Sequence, residues 1–173
     1  MTQNDAGVMG RPPLTNLSTL HMFVRTGRLL PYELAEDDDR QPHRSLYVTP
    51  DLARWINGDL ARCHFSKRAV SPVEQIADFM DRFVGEPVMH INDFQQIKPA
   101  GAHVYEMKTT DVRVYGWFPA ARVFIAVEGA LKAETTAAGT VTAIRKRVEA
   151  FRSGLALPSP DSVRHEINVR ELL

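Results

Sequence analysis

The chain has 173 residues, 44% hydrophobic and 24% charged, with 21 basic residues against 21 acidic ones. Those values suit one globular domain with extensions and a real hydrophobic core. Zero net charge excludes a general nucleic-acid coat protein, whose affinity comes from excess cations, but leaves room for a locally basic site.

Residues 1 to about 16 are polar and rich in Gly and Pro, and read as disordered or loosely draped. They lack the basic and apolar regions of a secretion signal, and no apolar run in the chain approaches the ~18 residues of a spanning helix. The sequence therefore points to a cytoplasmic protein with no membrane partner. Leu20-His21-Met22-Phe23-Val24 fits a strand or a helix equally. Glu36-Asp37-Asp38-Asp39 reads as a solvated acidic loop; the sharper reading is an internal mimic of RNA that shields a basic face. Ser45-Leu46-Tyr47-Val48 predicts an edge strand halted by Pro50.

A helix is predicted over 50–63, with Leu52, Trp55, Ile56, Leu60 and Cys63 on or near one face. Cys63, the single cysteine, excludes an internal disulfide, suits a reducing compartment and reads as a buried structural thiol. Its neighbour His64 points about 100° away on a helix, which argues against a thiol–imidazole pair. Ser71-Pro72-Val73-Glu74 has the pattern of a capping box with Pro at the first helical position. Val73, Ile76, Met80 and Phe83 form the stripe of the helix that follows, which Gly85 and Pro87 end.

His103 to Lys132 reads as a three-stranded antiparallel meander. Its strand-like runs are Val104–Lys108, Val112–Tyr115 and Val123–Val127, and its turn signals are Thr109-Thr110-Asp111, Pro119-Ala120-Ala121 and Glu128-Gly129. Period two places Glu106 and Lys108 on one face, Tyr105 and Met107 on the other, and Arg113, Tyr115 and Trp117 together. A last helix is predicted from Thr140 to Ser153, burying Val141, Ile144, Val148 and Phe151 and stopping at Gly154. Arg145, Lys146, Arg147 and Arg152 lie on its outer surface. The sum is an α+β domain over 44–153, with an amino-terminal extension over 1–43 and a tail over 154–173.

The six histidines are scattered without metal-ligand spacing, and Gly116, Gly129 and Gly139 make no phosphate loop, so no metal and no cofactor is expected. The cations are more informative. Lys108 and Arg113 flank one tight turn, so their side chains can converge, and Lys132 lies at the same general end of the sheet. Three cations there would hold a phosphate and stabilise the negative charge that develops as it is attacked. The competing reading is ordinary surface pairing with Glu106, Asp111 and Glu134.

Tyr105-Glu106-Met107-Lys108, then Val112-Arg113-Val114-Tyr115, then the apolar run Val123 to Val127, then Lys132-Ala133-Glu134 and Ala143 to Arg147 form an ordered series. Over roughly residues 44–153 it resembles the RelE/ParE toxin superfamily, in particular its phage-associated HigB-like branch. The resemblance implies a small antiparallel sheet with an amino-terminal helical hairpin and a carboxy-terminal helix. It implies a metal-independent endoribonuclease that cuts mRNA at the ribosome and is held by a cognate antitoxin protein. Lys108, Arg113 and Lys132 would be its catalytic cations, and Tyr115, Arg145 and Lys146 its RNA contacts. Where such toxins often place an acid or base, this chain has Ala133, Thr135 and Ala137-Ala138-Gly139. His103 or Tyr115 would have to substitute. Without that group, the same fold would inhibit a host target by binding alone.

Overall fold

The meander expected between His103 and Lys132 forms the middle of a larger sheet. The computed structural model describes residues 15–35, 38–63, 65, 69–155, 157 and 172–173. Its strands are β1 (Leu30–Tyr32), β2 (Ser45–Val48), β3 (Phe94–Gln96), β4 (Tyr105–Lys108), β5 (Val112–Ala120) and β6 (Val123–Leu131), and its helices are α1 (Thr15–Arg25), α2 (Pro50–Asn57), α3 (Pro72–Gly85) and α4 (Thr140–Leu155). The sheet order is β1-β2-β6-β5-β4-β3. The class is α+β, but the sheet is neither small nor wholly antiparallel. It has six strands, and β2 runs parallel to β6 in the register Ser45↔Val123 to Val48↔Ala126.

That parallel pairing corrects the expected edge strand. β2 is internal, because β1 pairs antiparallel along its other side, from Leu30↔Val48 to Tyr32↔Leu46. The stretch over 1–43 expected as an extension thus contributes a strand and a helix to the domain, and Leu20, Phe23 and Leu29 are buried in its core. Residues 1–14, most of 154–173, and Glu36 and Asp37 of the acidic run lie outside the described residues.

Strand alternation divides the core in two. Tyr105, Met107, Val112, Val114, Phe118 and Phe124 face α2 and α3, where they meet Leu52, Ile76, Phe79 and Phe83. Val104, Tyr115, Trp117, Val123 and Ile125 face the other way, against Leu20 and Phe23 of α1 and Ile144 and Val148 of α4. A six-stranded sheet with both faces apolar needs helices on both.

Local signals explain the helix boundaries. Ser71 Oγ accepts from the Glu74 amide, and a Glu74 carboxylate oxygen accepts from the Ser71 amide at 2.8 Å, so α3 starts on a complete capping box. Thr49 starts α2: its hydroxyl accepts from the Leu52 amide at 3.2 Å and donates to the Val127 carbonyl at 2.9 Å. The helix predicted over 50–63 ends at Asn57, a 3-10 turn over Leu60–Arg62 follows, and Cys63 is half-buried just beyond it. Cys63 is therefore not on a helix face, and His64 lies outside the described residues.

β5 and β6 are longer than predicted. Pro119 stays inside β5 because it falls in the register shift between Trp117 and Ala120, where the ladder does not need its missing N–H. Glu128 and Gly129 do not turn the chain; they pair with Tyr115 and Val114, and β6 continues to Leu131.

Candidate phosphate-binding site

The turn over Thr109–Asp111 brings the backbones of Lys108, Arg113 and Lys132 to one end of the sheet. Lys108 and Arg113 are directly opposed across β4 and β5. The Lys132 amide donates to the Asp111 carbonyl at 2.7 Å, which ties the residue after β6 to the same turn. Arg113 bends back over the turn and donates to the carbonyls of Thr109 and Val112. The Lys108 ammonium lies 3.5 Å from Gln95 Oε1 on the neighbouring strand β3.

None of Lys108, Arg113 and Lys132 forms an ion pair among the described residues. The acids proposed as their surface partners are engaged elsewhere or lie aside. A Glu134 carboxylate oxygen accepts from the Leu131 amide at 2.8 Å, and Asp111 Oδ2 accepts from Gln75. Glu106 pairs in register with Tyr115, on the face of β4 that also carries Lys108.

The expected RNA contacts divide differently. Tyr115 is wholly buried between the sheet and its covering helices, so its ring is not available to stack on a base. Its hydroxyl stands beside the Glu106 carboxylate without a well-formed hydrogen bond; burial first, then that negative charge, push the phenol far above its ordinary range. On α4, Arg145 is ion-paired with Glu149 at 2.9 Å, Arg147 grips Glu128, and Arg152 donates to the His103 carbonyl. Of that basic run only Lys146 is exposed and outside any ion pair among the described residues. The helix is therefore not a free basic strip.

Neither suggested acid–base substitute suits the site. His103 precedes β4 at the end opposite Lys108, roughly 16 Å away at the ordinary rise of a strand. Tyr115 is sealed in the core. Glu106, two residues before Lys108 on the same face and half-exposed, is the carboxylate that the fold puts beside the cations. Period two already places it there, where the sequence suggests it only as a surface partner of the cations. Of the two described residues of the acidic run, Asp39 is exposed and Asp38 binds Arg40 near the carboxy-terminal end of α3. The cations are instead beside the opposite end of that helix, so Asp38 does not shield them.

An open groove of about 970 Å³ leads away from the turn along α3, lined by Val70, Glu74, Gln75, Phe79, Lys108 and Thr109 among others. Among the described residues, no group of His, Cys, Asp and Glu is arranged to hold a metal ion, and no helix is long and apolar enough to cross a membrane.

Fold and site together define an α+β protein with a six-stranded mixed sheet, helices on both faces and a three-cation turn at one sheet end. No protein-family model, curated protein or solved structure matches this chain.

Proposed function

We propose that this protein is a toxin-type endoribonuclease of the RelE/ParE kind, acting on mRNA at the ribosome, with the Thr109–Asp111 turn as its phosphate site. The observation that carries the reading is that Lys108, Arg113 and the backbone of Lys132 meet at one turn and none of the three has a carboxylate partner among the described residues. The element order from β2 onward also supports it: strand, two helices, antiparallel strands, helix.

In this reading Lys108 and Arg113 hold the scissile phosphate, and Lys132 adds charge as the phosphorane-like transition state forms. The ribose 2′-oxygen attacks phosphorus and gives its proton to Glu106, which shares the Lys108 face. The bond to the 5′-oxygen breaks, and that oxygen takes a proton from solvent. The products are a 2′,3′-cyclic phosphate and a 5′-hydroxyl. An antitoxin protein would neutralise the site by covering the turn.

A second reading rests on Tyr115 and His103. With one buried and the other at the far strand end, neither protonates the leaving group from its position here. The same cationic surface would then inhibit a host target by binding alone. Purified protein added to mRNA-programmed ribosomes separates the two. Cleavage with cyclic-phosphate ends, lost in Lys108→Ala, supports the endoribonuclease; stalled translation on intact mRNA supports the binding inhibitor.

A further inference from the structure

We infer that Gln75, an uncharged residue of α3, is the positioning residue that sets the geometry of Lys108, Arg113 and Lys132 around the phosphate. This rests on reading those cations as a phosphate site, and adds to it a role for a residue that carries no charge and lies on the far side of the turn.

The Gln75 amide is fully used, and mostly on this one turn. Its Oε1 accepts from the Asp111 amide at 2.9 Å and from the Thr109 hydroxyl at 3.1 Å. Its Nε2 donates to Asp111 Oδ2 at 2.7 Å and to the Val70 carbonyl at 3.2 Å. A primary amide has two acceptor lone pairs and two N–H donors, so four bonds leave it a single orientation. α3 is anchored independently of these bonds, by its capping box and by Ile76, Phe79 and Phe83 in the core. The amide thus transmits the position of a fixed helix to the tip of a hairpin.

From Gln75 the network reaches each cation through the backbone. The Thr109 hydroxyl accepts from the Val112 amide at 3.0 Å, next to Arg113, and Lys108 immediately precedes Thr109. The Asp111 residue that Gln75 grips twice accepts the Lys132 amide at 2.7 Å. An unanchored hairpin tip would move all three cations relative to one another. Electrostatic stabilisation of a phosphoryl transition state requires them to be fixed before the charge appears.

The test uses the full chain and a short 2′-O-methyl RNA, which lacks the attacking hydroxyl and stays intact. Its affinity is measured by fluorescence anisotropy across a salt series for wild type, Gln75→Met, Thr109→Val and Lys108→Ala/Arg113→Ala, with thermal unfolding as the control for folding. The slope of log affinity against log salt counts the phosphates held at once. Met keeps the length and helix preference of Gln without its hydrogen bonds.

The expected result is that Gln75→Met binds about 5- to 10-fold more weakly and loses roughly one phosphate from the slope, although no charge has been removed. Thr109→Val shifts both quantities in the same direction by less, and answers the question if Gln75→Met does not fold. Wild-type affinity and slope in folded Gln75→Met or Thr109→Val, with weakened binding in the double mutant, would overturn the role of Gln75 and leave the phosphate site standing. Wild-type binding by the double mutant, or no binding by the wild type, would overturn the phosphate site and this inference with it.

Discussion

The indole of Trp55 stands in the space that a side chain at Gly129 would occupy: a Cβ there would lie 2.2 Å from Trp55 Cζ3. This one relationship seats α2 on the part of β6 that runs past the end of β2. Gly129 is in the strand, paired with Val114, and its value lies in having no side chain rather than in turning the chain. Gly129→Ala is expected to destabilise the protein by about 3 kcal/mol, as overpacking of a rigid contact does. Chemical denaturation measures it. The double variant Gly129→Ala/Trp55→Leu should recover part of the loss, because the smaller side chain relieves the clash.

The capping box is expected to contribute on the ordinary scale of such motifs. Ser71→Ala removes the acceptor for the Glu74 amide and the hydroxyl partner of the Glu74 carboxylate. It should cost about 1 kcal/mol in urea unfolding. The hydrogen bonds from Ser71 hold the Glu74 carboxyl below its ordinary range. A carboxyl lowered in the folded state adds stability above its unfolded pKa and loses it as pH falls through the folded one. The difference between wild type and Glu74→Gln should therefore shrink on acidification from neutral pH.

Arg44 is buried at 5% exposure and closes the carboxy-terminal end of α3. Its guanidinium donates to the carbonyls of Phe83, Glu86 and Pro87 and also reaches Leu173. Arg44→Met leaves those carbonyls without their donor and should cost about 3 kcal/mol. Arg44→Lys should rescue little, since an ammonium cannot span the same set of acceptors as a planar fork. Thermal unfolding of the two variants checks both statements.

Tyr115 makes the alkaline limb of stability testable. Its phenol is raised above the ordinary value near 10 by burial and by Glu106, so above pH 10 the unfolded chain releases a proton that the folded chain keeps. Stability from this residue is complete below pH 10 and falls as pH rises beyond it. Tyr115→Phe should stay within about 1 kcal/mol of wild type at pH 7, because the hydroxyl has no well-formed hydrogen bond to lose. Above pH 10 it should lose stability more gradually than wild type. Denaturant midpoints from pH 7 to 11 measure the crossover.

The elements readable in the sequence were those whose local chemistry coincides with their tertiary role. Ser71 and Glu74 cap a helix wherever that helix packs, and alternation in Tyr105–Lys108 is legible because Tyr105 and Met107 are buried while Glu106 and Lys108 stay half-exposed. β1 and β3 carry three residues each, Leu30–Tyr32 and Phe94–Gln96, too few to show a period. With β1 invisible to periodicity, β2 reads as an edge. Gly129 reads as a turn because turn and close approach both call for glycine, and only Trp55 distinguishes them.

The candidate site followed the same division. Lys108 and Arg113 opposite each other across one turn follows from hairpin geometry alone. The burial of Tyr115 does not, because period two puts it on the Arg113 face without saying that α1 and α4 cover that face. Pairing of Arg145 with Glu149 is an i,i+4 relationship that the sequence contains, whereas Arg147 with Glu128 joins residues that only the fold brings together.

The most direct test of the proposed phosphate site is to map mRNA 5′ ends in bacteria induced to make the wild-type protein or the folded Lys108→Ala/Arg113→Ala variant. New 5′ ends at codon positions within translated messages and arrested growth are expected with the wild type, and neither with the variant. Identical cleavage by the two proteins, or arrest by the wild type with mRNA intact, would contradict the proposed site.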